Sequence, residues 1–244
     1  MRQLYPALRV CDTTDVYTDL LADGADHAVL MNVITTVDGR TTIENRSHGI
    51  GTATDHVLMQ QIRAGADAVL FGVGTIRREG VSPGVPVKHE AARIAANRRA
   101  QPLSVVLGGR DSVELRGRLT KIGPDELVIF LPHGADPVPL EGSATVYIAE
   151  SGRPNPADVV RILYERHGVR RLLLEGGPSI YSSFLQSGLV DQIFWTIAPK
   201  VSADASGAGM LAGNGHNAVP RGAALQTIFE DEGELYLRYR LPKR

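Results

Sequence analysis

Two glycine-rich turns carry the clearest chemical signal: Gly72-Val73-Gly74-Thr75 and Gly176-Gly177-Pro178-Ser179. Each follows an apolar, strand-like run and precedes residues that can start a helix. In an open α/β sheet, ligands collect at the carboxyl ends of strands. A glycine there lets the backbone approach a phosphate, and free N–H groups at a helix start attract the anion. Neither turn completes G-x-G-x-x-G: Arg77 stands where the first would need its third glycine, and Gly207-Ala208-Gly209 fails likewise at Ala212. An ordinary Rossmann dinucleotide site is not supported. Taken singly, either motif is explained by a tight turn, glycine's commonest use.

Other chemistries are excluded by spacing. The histidines are His27, His48, His56, His89, His133, His167 and His216; none forms H-E-x-x-H, and no C-x-x-C exists, so no metal site is expected. The serine elbow G-x-S-x-G is also missing. Arg63 ends a helical run, where a cation suits the helix dipole. Asp38-Gly39 reads as a tight turn. The polar run 44–54 after it offers hydroxyls and amides to a sugar or phosphate, or is a solvated loop.

The elements that hold these residues alternate. Strand-like runs are read at 28–34, 67–71, Leu103–Leu107, Leu127–Leu131, 144–149, Arg171–Leu174 and 190–198. Helices are read at 54–63 and at 89–99, the latter polar, alanine-rich and expected on the surface. A further helix has Asn155 as N-cap, Pro156 at its first position and Gly168 as its stop. Another spans Pro178–Gln186. Residues 202–217 read as a long loop. The chain ends in a strand at 224–229, a turn at 231–233 and a strand at 235–241, expected as an antiparallel hairpin at one sheet edge. This pattern predicts an α/β domain with a mostly parallel sheet. One domain is expected over 1–244, with 1–27 an extension before a core at 28–241.

Composition agrees. The chain has 244 residues, 26 basic and 27 acidic side chains and a formal net charge of -1, giving no electrostatic case for nucleic acid or an anionic membrane. No run approaches the roughly 18 apolar residues of a membrane span. The N-terminus mixes charges early and is not expected to be a secretory signal. With one cysteine, Cys11, no intrachain disulfide can form. A cytoplasmic protein is expected.

Several segments in order resemble a known family. They are 32–40 (NVITTVDGR), 62–75 (IRAGADAVLFGVGT), 174–178 (LEGGP), and 188–193 (GLVDQI) leading to 197–200 (IAPK). Together they resemble the riboflavin-biosynthesis pyrimidine reductases, the RibD C-terminal family with the dihydrofolate reductase-like fold. The resemblance covers roughly residues 28–241. It implies a three-layer α/β/α sandwich, usually a homodimer. It also implies NADPH as hydride donor and reduction of the ribosylamino group of a pyrimidine ribose phosphate to ribitylamino. Bifunctional relatives add a zinc deaminase domain; its H-x-E and P-C-x-x-C signature is missing here.

The resemblance also assigns residues. Gly74 and Thr75 match the cofactor turn after the strand. Gly176 and Gly177 match the pair that lets the backbone approach the NADPH diphosphate, with Pro178 and Ser179 opening the next helix. Gly108, Gly109 and Arg110 stand where the family holds the adenosine end. Arg110 then faces the 2′-phosphate, to which a guanidinium is suited, although relatives often have Asp-Ser there. On the substrate side, Ser47 and Arg63 match positions around the ribose phosphate. Asn32 occupies a position that is Lys or Asn in relatives, and Glu175 matches the acid close to the ribose. Glu79 stands where most relatives have Asp. Many relatives read G-x-G-T-x-x-x-D-D-P; here the second acid and the proline are gone, so the loop at 80–88 departs from the pattern.

The implied chemistry is hydride transfer to C1′ of an opened ribosylamine. Glu175, near the ribose hydroxyls, and Glu79, at the junction of substrate and cofactor, are the candidates for managing the proton. Asp38 and Asp191 read as structural, and Trp195 as core or dimer interface rather than a nicotinamide stacker. Two alternatives stay open: a dihydrofolate reductase-like enzyme for a pterin or other nitrogen heterocycle, and a non-catalytic NADPH-binding protein.

Overall fold

A computed structural model describes residues 1–21, 27–43, 49–79, 84–111, 116–119, 122–204, 207–212 and 220–242, except the side chains of Arg78 and Glu79. Its strands are β1 (Arg2–Tyr5), β2 (Arg9–Val10), β3 (Ala28–Thr36), β4 (Ala68–Gly72), β5 (Leu103–Leu107), β6 (Leu127–Leu131), β7 (Thr145–Ile148), β8 (Arg171–Leu174), β9 (Gln192–Ala198), β10 (Ala224–Asp231) and β11 (Glu234–Arg240). The helices are α1 (Ala53–Ala64), α2 (Val73–Glu79), α3 (Val87–Ala95), α4 (Pro156–His167) and α5 (Pro178–Gln186). All strands join one sheet, ordered β2-β1-β10-β11-β9-β3-β8-β4-β5-β6-β7. From β9 to β7 neighbouring strands run parallel; from β9 to β2 they run antiparallel.

The sheet is buried on both faces, which is what its continuous apolar runs require. Along β3, Val29, Met31 and Val33 join one core layer with Val159 and Leu163 of α4 and Phe184 of α5. Leu30 joins the other, with Leu58 and Ile62 of α1. Helices thus cover both faces, as a three-layer sandwich. No helix among the described residues is long and apolar enough to cross a membrane.

Three expectations are corrected. The first strand is β1, not the run at residue 28: residues before 22 pair β1 with β10 and bury Val16, Tyr17 and Leu20 in the core. A Cβ on Gly65 would meet Leu20 Cβ at 2.4 Å, so this segment seats directly on the end of α1. Consequently the C-terminal hairpin is not at an edge: β11 lies between β9 and β10, and β1 covers β10. The third correction is Arg93. Its helix lies largely exposed, as its composition predicts, but Arg93 is fully buried. It donates to the carbonyls of Arg63, Ala64 and Ala66, at 3.3, 2.8 and 2.6 Å, at the end of α1. The last carbonyls of a helix lack partners within it, and Arg93 supplies donors there. Burial pulls the guanidinium down to about 10.

Candidate active site

The parallel register brings the glycine turns together. β8, β4 and β5 are neighbours in that order and point the same way. Their carboxyl ends therefore place Gly176, Gly72 and Gly108 side by side on one edge. Gly176 has room for a hydrogen only: a Cβ there would meet Ile180 Cδ1 at 2.4 Å and the Gly72 backbone N at 3.2 Å. Gly177 is the N-cap of α5 and Pro178 its first residue, so the first N–H groups of that helix open beside the glycines. Thr75, Gly176, Gly177 and Pro178 line one large cleft. Its volume, about 1690 Å³, exceeds the roughly 300–1,000 Å³ of a pocket for one small ligand.

Gly74 falls in the first turn of α2 and Ser179 in the first turn of α5. Gly108 and Gly109 follow β5; a Cβ on Gly109 would lie 3.9 Å from Val73 at the neighbouring turn. These glycines and the exposed Arg110 extend the same edge beyond the residues that line the cleft.

Directly before Gly176, Glu175 forms a buried ion pair. Arg63, from the last turn of α1, donates its Nε to both oxygens of Glu175 at 2.9 and 3.0 Å and its Nη2 to Oε2 at 2.6 Å. The side chains are only 9% and 6% exposed. Burial pulls Arg63 down, but the adjoining Glu175 charge and the hydrogen bonding to it together outweigh burial and hold the guanidinium above its ordinary value. Arg63 Nη1 also donates to the Gly84 carbonyl at 3.3 Å. Gln101 clamps that segment through Val85, accepting from its N at 2.8 Å and donating to its O at 3.0 Å. The described end of the unusual loop is thus tied to the ion pair.

Asn32 sits level with Glu175, because Met31 pairs with Leu174 at the end of β8. Alternation turns its side chain to the face of Leu30 and α1, and it lines the cleft. Tyr181 donates to the Asn32 carbonyl at 2.7 Å. The fold therefore unites Asn32, Arg63, Thr75, Glu175, Gly176, Gly177 and Pro178. Glu79 closes α2, but its side chain lies outside the described residues, as does all of Ser47.

Sequence reading missed the other end of α1. Asp55, Met59 and Arg63 recur every four residues and all line the cleft, while Leu58 and Ile62 face the core. Beside Asp55, the fully buried Glu234 accepts from Thr52 Oγ1 at 2.6 Å and from Tyr236 Oη at 2.5 Å. Burial pushes the Asp55 carboxyl up to about 6, against a hydrogen bond from Thr196 and with added repulsion from Glu234 and Glu175. Burial and the Glu234 contact also raise the Tyr236 phenol. The four-residue spacing back from Arg63 was the available signal for Asp55. Gln60 also lines the cleft, buried, with no partner for its Oε1 among the described residues.

The residues read as structural are in structural roles. Asp38 accepts from Thr36 Oγ1 at 2.6 Å and from the backbone N of Ser202 and Ala203 at 3.0 Å each, pinning the segment after β9. Asp191 accepts from Val29 N at 2.8 Å. Trp195 donates from its indole to Thr35 Oγ1 at 2.9 Å and packs on the core. Asp38, held by those hydrogen bonds, is lowered to about 2.

Comparison with known proteins bears on this arrangement. The family model described as the RibD C-terminal domain matches residues 27–226. A 2,5-diamino-6-ribosylamino-4(3H)-pyrimidinone 5′-phosphate reductase of Archaeoglobus fulgidus is 29% identical over 171 residues, 68% of this chain and 77% of the relative. The riboflavin biosynthesis protein RibD of Mycobacterium tuberculosis is 29% identical over 166 residues, 68% of this chain but 40% of that longer protein. Among solved structures, a pyrimidine reductase-like protein of Corynebacterium diphtheriae superimposes with a TM-score of 0.74 at 21% identity, covering 89% of this chain and 93% of its own. RibD of Acinetobacter baumannii superimposes with a TM-score of 0.73 at 22% identity, covering 89% and 58%. The dihydrofolate reductase-like sandwich implied by the sequence motifs is the fold these structures share with the chain.

Proposed function

The chain belongs to the RibD C-terminal domain family, and we propose that it is an NADPH-dependent reductase of riboflavin biosynthesis. It converts the ribosylamino group of a pyrimidine ribose 5′-phosphate to ribitylamino. The observation that carries this reading is the junction, in one cleft, of a glycine cradle and a buried Arg63–Glu175 pair level with Asn32. The names of the relatives that match it over most of their length support the substrate class.

A dinucleotide diphosphate would lie over the Gly176-Gly177 turn and the first N–H groups of α5, beside the close Gly72–Gly176 approach. Gly74, Thr75, Gly176, Gly177, Pro178 and Ser179 would hold it. Gly108, Gly109 and Arg110 would take the adenosine end, Arg110 on the 2′-phosphate. NADPH, when bound there, would supply the hydride for reduction at C1′. The protein's share is position and charge. Asn32, Ser47 and Arg63 hold the ribose phosphate and its neighbours. Glu175, fixed by Arg63, accepts from ribose hydroxyls. Glu79 and Glu175 are the groups that manage the proton. The same reading makes the protein a cytoplasmic homodimer.

Purified protein mixed with NADPH and the ribosylaminopyrimidine 5′-phosphate, in aminated and deaminated forms, is expected to lose nicotinamide absorbance with at least one form. NADPH binding without oxidation by either form would overturn the reading.

A further inference from the structure

The Arg63–Glu175 pair accounts for one end of the cleft and leaves the role of Asp55 open. Resting on the reductase reading above, we propose that Asp55 recognises the edge of the pyrimidine ring and makes the protein selective for the 2-amino form of the substrate over its 2-oxo counterpart.

Placement comes first. Asp55 lies eight residues before Arg63 on one stripe of α1, about 12 Å away at 1.5 Å per residue. Met59 and Asp55 continue the cleft wall from Arg63 and Glu175, so a base extending along that wall from a sugar held there reaches Asp55.

The carboxylate is also free of the usual duty of its position. An acid three residues after a threonine N-cap normally turns back to the cap N–H. Here Glu234 takes that place, accepting from Thr52 N at 3.4 Å and from Thr52 Oγ1 at 2.6 Å. Thr52 Oγ1 still accepts from Asp55 N at 3.4 Å, so the helix start is intact without the Asp55 side chain. Among the described residues Asp55 has no ion pair with a cation, and its hydrogen bond comes from Thr196. A carboxylate has about four acceptor sites, so most of its capacity is unused among the described residues. Room is kept for it as well: a Cβ on Gly51 would meet Asp55 Oδ2 at 2.6 Å.

The ring chemistry fits that vacancy of donors. A 2-amino-4(3H)-pyrimidinone presents N3–H and an exocyclic N–H side by side, two donors for the two oxygens of one carboxylate. The 2-oxo ring replaces the second donor with a carbonyl oxygen, which would face the carboxylate with like charge. A bidentate contact of this kind is worth about tenfold to a hundredfold in discrimination.

The test is kcat/KM for both substrate forms with the wild-type protein and with Asp55→Asn. The wild type is expected to prefer the aminated form by at least about tenfold. Asparagine offers one acceptor and one donor, matching N3–H and the 2-oxo oxygen, so Asp55→Asn is expected to reverse the preference. A purely structural Asp55 would lower both rates together. Equal use of both forms by the wild type, or an unchanged ratio in Asp55→Asn, overturns the assignment while leaving the reductase reading standing. Failure of the wild type to oxidise NADPH with either form overturns both.

Discussion

The two ends of helix α1 face the same cleft and are built in opposite ways. At its C-terminal end Arg63 meets Glu175 in a fork, each charge answered by the other. At its N-terminal end Asp55 stands near Glu234 and Glu175, acids beside an acid, with a threonine for support. The first arrangement is closed and orients its members without a ligand. The second keeps a carboxylate partly dehydrated and short of donors, a cost to stability that a bound donor can relieve. Buried polar groups left in that state concentrate where function needs them.

Breaking the closed end is expected to have the largest effect. Arg63→Ala leaves Glu175 buried without its partner, a loss of about 3–5 kcal/mol. Urea denaturation at neutral pH should show it, together with a collapse of kcat/KM. A variant of near-native stability would mean that solvent reaches Glu175 freely, and that the two ends of the helix are not so different.

Thr52→Ala probes the scaffold of the open end. It removes the N-cap, typically worth about 1 kcal/mol, and a hydroxyl donor to Glu234, adding about 1 kcal/mol or more. Thermal melts should place its loss below that of Arg63→Ala, and Thr52→Ser should restore most of it.

Asp55→Asn is expected to have the smallest effect and the opposite sign. The Asp55 carboxyl is raised in the folded state from 3.8 to about 6 by burial. Its stabilising contribution is therefore complete below pH 3.8 and is lost as pH rises through about 6. Asparagine cannot ionise, so the variant should melt higher than wild type at pH 8, by a few degrees, at roughly 2–4 °C per kcal/mol. The two should converge at pH 4. A lower melting point at pH 8 would show that the Asp55 charge is stabilising and that the contrast between the ends is false.

The cofactor edge was legible because its signature is local. Gly176 and Gly72 are glycines for a steric reason, since a Cβ at either would run into Ile180 of α5, and strand-turn-helix patterning marks where such turns fall. The limits of β5, β6, β8 and α5 follow from alternation and caps, read over a few residues. Family motifs then pointed to Arg63, Glu175 and Asn32. Arg93 defeated the same method, since its helix pattern calls for the surface and its partners lie about 30 residues away at the end of α1.

Residue order alone thus determined the α/β alternation, the glycine turns and the caps of α4, because those depend on sterics and hydrogen bonds within one turn or one pleat. Tertiary structure decided the rest. It drew residues before 22 into the sheet and core, since β10 left an edge that β1 could pair and Gly65 a surface that Leu20 could fill. It also set Glu234 beside Asp55, 179 residues apart in the chain. A carboxylate's proton affinity depends on what is packed around it, and no local pattern encodes that neighbourhood.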